Sequence, residues 1–223
     1  MGHKSFTLVL FITGLFSGQA YPTSTTVVGE TVLLNGQSYE VPKYWAGKRI
    51  DISKQPKPAT LRALPSQLTL NKSRIYVTQK TKQALIKMVN QAKQNGVVLS
   101  VDSGFRSEQY QKKILEKYLK QNMDYLGLLQ VVAPPGYSQH MLGNCVDFVP
   151  SELDFSKSSQ YAWLKKNASK FGFIESYSED NKVGINWEPW HWQFKSVNAT
   201  ASTDTPLSIV SPHSEPSKRV AEH

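Results

Sequence analysis

The sequence predicts an α+β fold, a small single domain with flanking segments, and three observations carry that expectation. Its 223 residues suit one ordinary domain, since domains run to roughly 100–200 residues. Short strand-like and helix-like stretches interleave without the regular strand–helix–strand repeat of a doubly wound sheet. Hydrophobic residues make up 39% of the chain and charged residues only 19%, which excludes a wholly disordered polymer. A single cysteine, Cys145, excludes an intramolecular disulfide framework and any multi-cysteine zinc or iron–sulfur site.

Taken in order, residues 1–20 read as a secretory signal: Lys4, an apolar run from Phe6 to Phe16, and small residues at Gly18-Gln19-Ala20. That run is about half the roughly 20 residues of a membrane span. Cleavage after Ala20 and export to the periplasm, the cell wall or the medium are therefore expected, with no integral membrane span in the mature chain. Residues 21–60 form an N-terminal arm, in which Asn35-Gly36 lies between two alternating stretches as a tight hairpin turn. KQPKPATLRALPSQLTL, with three prolines, reads as an extended connector. The folded domain is expected over residues 61–196.

Within it, Leu85, Ile86, Met88, Val89 and Ala92 recur at helical spacing between Thr78 and Gln94, and Asn95-Gly96 supplies a stop. VVLSVDSGF follows as a strand. Ser107 caps a second helix over 108–121 with an apolar stripe of Tyr110, Ile114, Leu115 and Tyr118. Residues 122–139 read as loop, NCVDFV (144–149) as a short strand, residues 159–171 as a third helix closed by Gly172, and WHWQF (190–194) as a strand. Beyond residue 196, Ser, Thr, Pro and Asn dominate, so 197–223 is a flexible tail.

The formal net charge is +9, which draws a protein toward anionic polymers or surfaces. The lysines are spread along helix faces, and no arginine cluster with interleaved aromatics marks a nucleic-acid surface. Nucleic acid is therefore not an expected partner, and a monomer is expected.

Of five histidines, His3, His213 and His223 lie near the ends, leaving His140 and His191 for chemistry inside a core. In WHWQF, alternation sends Trp190, Trp192 and Phe194 to one face and His191 and Gln193 to the other. Pro189 forces Glu188 out of helical geometry, so Glu188 can lie near His191. In YSQHMLGNCVDF, Asp147 sits on an apolar strand, where an aspartate is expensive unless paired or bound to metal. Each segment alone reads equally well as an edge histidine with an exposed glutamate, or a capping histidine with a salt-bridged aspartate. Together His140, Asp147 and His191 supply three N/O ligands, the number a catalytic zinc site uses while leaving one position open. Glu188 is then the nearby carboxylate that such a site needs as proton acceptor. Arg106, where a strand meets a helix, can hold a carboxylate or an oxyanion, or serve in an ordinary salt bridge.

SGFRSEQYQ, YSQHMLGNCVDF and EPWHWQF resemble, in that order, the three motifs of VanY-type D-alanyl-D-alanine carboxypeptidases and their L,D-carboxypeptidase relatives. The usual forms are SGYRS-x-x-x-Q, S-x-H-x-x-G-x-A-x-D and E-P-W-H, and the resemblance spans about residues 60–195. It implies a small α+β domain with an antiparallel sheet, one zinc ion on His140, Asp147 and His191, and Glu188 as general base. It further implies substrate contacts at Arg106, Gln111 and Ser138, and peptidoglycan stem peptides losing a C-terminal D-alanine as substrates. Two positions depart from the pattern: Phe105 replaces Tyr, and Cys145 replaces Ala. Cys145 falls on the same strand face as Asp147, so His140, Cys145 and His191 form a rival ligand set, although cysteine is also a small buried hydrophobe. Two other readings compete: an endopeptidase cutting inside the stem or cross-link, and a non-catalytic wall-binding module of the same fold. The mark of such a module would be a broken ligand set, whereas His140, Asp147, His191 and Glu188 are all present here.

Overall fold

Four short strands pair into an antiparallel sheet that alternates apolar and polar residues across its two faces. In chain order these are β5 (Val101–Ser103), β6 (Cys145–Phe148), β7 (Phe173–Glu175) and β8 (His191–Phe194), arranged β5-β6-β8-β7. The computed structural model describes residues 29–182 and 184–195; the expected signal at 1–20, the start of the arm and the tail lie outside them.

One sheet face carries Val101, Val146, Phe148 and Trp192 into the main core. The largest element packed there is α1 (Gln79–Gln94), whose Thr78 cap accepts a hydrogen bond from the Thr81 amide. It buries Ala84, Leu85, Met88, Val89 and Ala92. Ile86 is only half-buried and Ala84 takes its place in the stripe. Helix α4 (Ser159–Asn167) continues as a 3₁₀ turn, Ala168–Phe171, and adds Trp163 and Leu164 to the same core. The third helix is thus present, but its last turn tightens before Gly172 (φ 78°).

The opposite face looks toward a second cluster, to which the N-terminal arm contributes Val32, Leu34, Val41 and Trp45. Strands β1 (Thr31–Leu34) and β2 (Gln37–Glu40) form the hairpin expected at Asn35-Gly36. Asn35 (φ 48°) and Gly36 (φ 80°) both take positive φ, the turn whose twist matches that of the strands. Val32, Leu34, Val41 and Trp45 are buried there against Leu115, Leu128, Leu129, Tyr137 and Tyr177. The hairpin tip is tied to α2 (Glu108–Lys120) by the Asn35 amide, which donates to Glu116 Oε1 at 3.0 Å.

Three departures from expectation have local causes. The connector contains β3 (Leu61–Ala63), paired antiparallel with β4 (Tyr76–Thr78); both strands are too short to register as a period. The stretch expected as loop holds α3 (Tyr125–Leu128), initiated by Asp124, whose carboxylate accepts from the Gly127 amide at 2.7 Å. On α2 the fully buried positions are Gln111 and Leu115, whereas Tyr110 is 45% exposed. The helix is rotated so that a polar residue enters the interior, which an apolar stripe cannot anticipate. Among the described residues no helix is long and apolar enough to cross a membrane.

Candidate metal centre and active site

The antiparallel register of β6 and β8 pairs Asp147 directly with His191, and Cys145 with Gln193. Directly opposed residues on one sheet face have Cβ atoms about 5 Å apart, so two residues 44 positions apart in the chain meet across a single ladder rung. His140 arrives from a 3₁₀ turn, Gln139–Leu142, just before β6. Its carbonyl accepts from the Arg106 amide at 3.2 Å, which docks the turn against the end of β5. At that junction Gly104 is required: a Cβ there would lie 2.6 Å from both the Ile75 side chain and the Tyr76 carbonyl.

His140, Asp147 and His191 are 1%, 7% and 3% exposed. His140 Nε2 lies 3.1 Å from Asp147 Oδ2, His191 Nδ1 lies 2.9 Å from Asp147 Oδ1, and the two nitrogens are 3.2 Å apart. The other ring nitrogens are already engaged. His140 Nδ1–H donates to the Gly104 carbonyl at 2.6 Å, and His191 Nε2–H donates to Gln139 Oε1 at 3.2 Å. Each imidazole therefore aims a lone pair at the carboxylate. Two lone pairs and a carboxylate converging in a buried space repel unless a positive charge sits between them. Either a shared proton or a cation meets that need, and outward N–H groups held by a carbonyl and an amide are how metal-ligating histidines are oriented. The three ligand atoms lie within 4.8 Å of one another, so this donor set fits a divalent ion such as zinc.

With a proton in that role, the charges distribute unevenly. Burial alone lowers His191, but its hydrogen bond to Asp147 outweighs this and holds it well above the ordinary histidine range. Burial, with Arg106 nearby, pushes His140 down to about 4. Burial would raise Asp147, yet the two imidazoles hold it well below the usual carboxylate range. The cluster thus keeps one imidazolium, on His191, beside one carboxylate.

Glu188 approaches the same nitrogen, with Oε2 at 3.9 Å from His191 Nδ1. The Glu188 amide donates to the Tyr177 carbonyl at 3.0 Å, so the residue before Pro189 is fixed at the bend. Burial pushes its carboxyl up to about 7, against the pull of His191, a value suited to exchanging a proton near neutrality. Arg106 Nη2 lies 3.7 Å from Asp147 Oδ2.

Beside this cluster is a cavity of about 40 Å³ lined by Arg106, Gln111, Ser138, His140, Glu188 and His191 among others. Gln111 Nε2 donates to the Ala133 carbonyl at 2.8 Å, leaving Gln111 Oε1 buried without a partner; Arg106 Nε is likewise buried and unpartnered. A larger groove of about 660 Å³ shares Arg106 and Glu188 with it and continues along β4 and α2.

All seven residues singled out from the sequence therefore surround one site. Cys145 shares the face of Asp147, but its thiol lies against Gln139 Oε1 (3.7 Å) and Asn144 Oδ1 (3.5 Å). Burial pushes that thiol up, toward the uncharged form. Three contributors escaped the sequence: Gln139, which holds His191; Tyr177, stacked on His191 with centroids 5.2 Å apart; and Trp45, which lines the small cavity. Gln139 stood inside a motif and was legible in principle. Tyr177 and Trp45 carry no local signal.

Fold and site together define a small α+β domain with antiparallel sheets and a buried two-histidine, one-aspartate centre next to a polar cavity. The chain belongs to the VanY D-alanyl-D-alanine carboxypeptidase family, whose model matches residues 74–197, just over half of its length. It is 32% identical over 132 residues to a D-alanyl-D-alanine carboxypeptidase of Enterococcus faecium. It is equally identical, over 118 residues, to one of Enterococcus faecalis. These matches cover 58% and 48% of this chain but only 41% and 44% of the relatives, so the chain spans less than half the length of the proteins it matches. Among solved structures it is similar to the LdcB LD-carboxypeptidase, with a TM-score of 0.57 and 26% identity, covering 66% of this chain and 72% of the other. It is also similar to a VanY D,D-pentapeptidase mutant in complex with Zn(II), with a TM-score of 0.53 and 26% identity, covering 67% and 84%.

Proposed function

We propose that this protein is an exported zinc carboxypeptidase that removes the C-terminal D-alanine from peptidoglycan stem peptides. One observation carries the reading. Arg106 and Gln111 line a small cavity together with Glu188, His140 and His191, and Arg106 Nε–H and Gln111 Oε1 are buried without partners. Unpaired buried polar groups are costly, and a peptide terminus answers both, its carboxylate accepting from Arg106 and its amide N–H donating to Gln111. Family membership and the Zn(II) complex of the VanY relative support the same reading.

His140, Asp147 and His191 would hold the ion. When bound, zinc supplies a Lewis acid and lowers the pKa of a bound water. The remaining work falls to this chain. Glu188 accepts the proton of the attacking water and returns it to the departing amine of D-alanine. Arg106 steadies the terminal carboxylate, and Gln111 and Ser138 orient the scissile unit. Cys145 stays outside the ligand set as a packed thiol.

The test is mass spectrometry of purified tetrapeptide and pentapeptide stems after incubation with zinc-loaded protein. Loss of one alanine is expected, and which stem loses it assigns L,D or D,D specificity. Larger fragments would indicate an endopeptidase, and intact stems a wall-binding module.

A further inference from the structure

The small cavity owes one of its walls to a residue far along the chain from the three motifs. Trp45 lies in the N-terminal arm, outside the stretch 74–197 matched by the family, and is 3% exposed. Its indole N–H donates to the Leu129 carbonyl at 2.9 Å. Its ring meets Tyr137 and Tyr177 edge-on, with centroids 6.3 and 6.4 Å away, and Tyr177 stacks in turn on His191. An indole anchored by a hydrogen bond and wedged between two rings cannot swing aside for a ligand. Val131, Val132 and Ala133 complete the apolar lining beside Gln111.

The site thus has two unequal compartments that share Arg106, Val131, Val132 and Glu188: a cavity of about 40 Å³ with Trp45 in its wall, and a groove of about 660 Å³ that Trp45 does not line. Only a small group fits the first, whereas an extended peptide fits the second. We propose that Trp45 is a specificity-determining residue that restricts the C-terminal residue of the substrate to an alanine-sized side chain. The N-terminal arm is then part of the active site and not a mere appendage. This inference rests on the carboxypeptidase reading above.

A pair of stem peptides identical except for a terminal D-Ala or D-Leu tests it, on whichever stem length the zinc-loaded wild-type protein cuts. The readout is the ratio of kcat/KM for the two peptides, which cancels any loss of active protein in a variant. One methylene in a filled apolar pocket is discriminated roughly 10–200-fold, so the wild-type protein is expected to favour D-Ala by at least about tenfold. Trp45→Ala is expected to bring the ratio down by about tenfold or more, and Trp45→Phe by a smaller factor. Should Trp45→Ala fail to fold, Trp45→Phe decides. An unchanged ratio in every variant that turns over D-Ala would overturn the role of Trp45 while leaving the carboxypeptidase reading intact. Equal turnover of both peptides by the wild-type protein would do the same. No release of a C-terminal residue by the wild-type protein from either peptide would instead sink the carboxypeptidase reading itself.

Discussion

At Asp147 two imidazoles, one guanidinium and a second carboxyl meet within a few ångströms, and its charge organises the rest. Asp147→Asn removes one of the three candidate ligands, so metal content measured after dialysis should fall to background; it also removes the anion that favours a proton on His191 in the metal-free protein. In the metal-free variant the His191 ring, followed by NMR, should titrate at lower pH than in the wild-type protein. Glu188→Gln should retain the metal and lose about 10²–10⁴-fold in kcat, the usual scale for a lost acid–base group; a near-normal rate would remove Glu188 from the chemistry. The sign of its pH effect on stability also follows. Between its ordinary 4.5 and about 7, the folded metal-free protein holds a proton that the unfolded chain has released. Glu188 therefore costs stability as pH rises through that window, at most about 3 kcal/mol. Denaturant titration of metal-free protein should find Glu188→Gln level with wild type near pH 4 and more stable above pH 7. Cys145→Ala should leave zinc content intact; its loss would return the thiol to the ligand set.

Elements matter here because the ligands share a ladder. β6 and β8 bring Asp147 and His191 together only in one register, and a slip of β8 by one residue would turn His191 to the face opposite Asp147. The apolar partners on that opposite face, Val146, Phe148 and Trp192, lock the register by burial. Phe148 is fully buried and stacks on Phe155, so Phe148→Ala should cost about 3–5 kcal/mol, read as a lower denaturation midpoint. Ser107 caps α2 beside Arg106, accepting from the Tyr110 amide at 3.1 Å, and its removal to alanine should cost about 1 kcal/mol.

At the scale of the whole fold, the described residues gather into two apolar clusters with the site between them. The sheet core lies on one side, and the arm, α2 and Tyr177 lie on the other. On the polar face of β8, His191 is 3% exposed because Tyr177, a member of the second cluster, stacks over it. Seating two histidines, an aspartate and a glutamate in such a buried site lowers the local dielectric, which strengthens every interaction among them.

Much of this was legible along the chain. Hairpin, α1, α2 and the two ligand-bearing strands follow from period, cap and turn chemistry, which act over a few residues and leave a local trace. WHWQF and NCVDFV also state which residues share a face, because a pleat has a strict period of two. Partner choice is different. That Asp147 faces His191, that Gln111 turns inward, and that Tyr177 and Trp45 flank the site depend on register and packing between segments as distant as Trp45 and Tyr177. Such contacts are won by burial energy summed over the whole interior, so no short stretch of sequence records them.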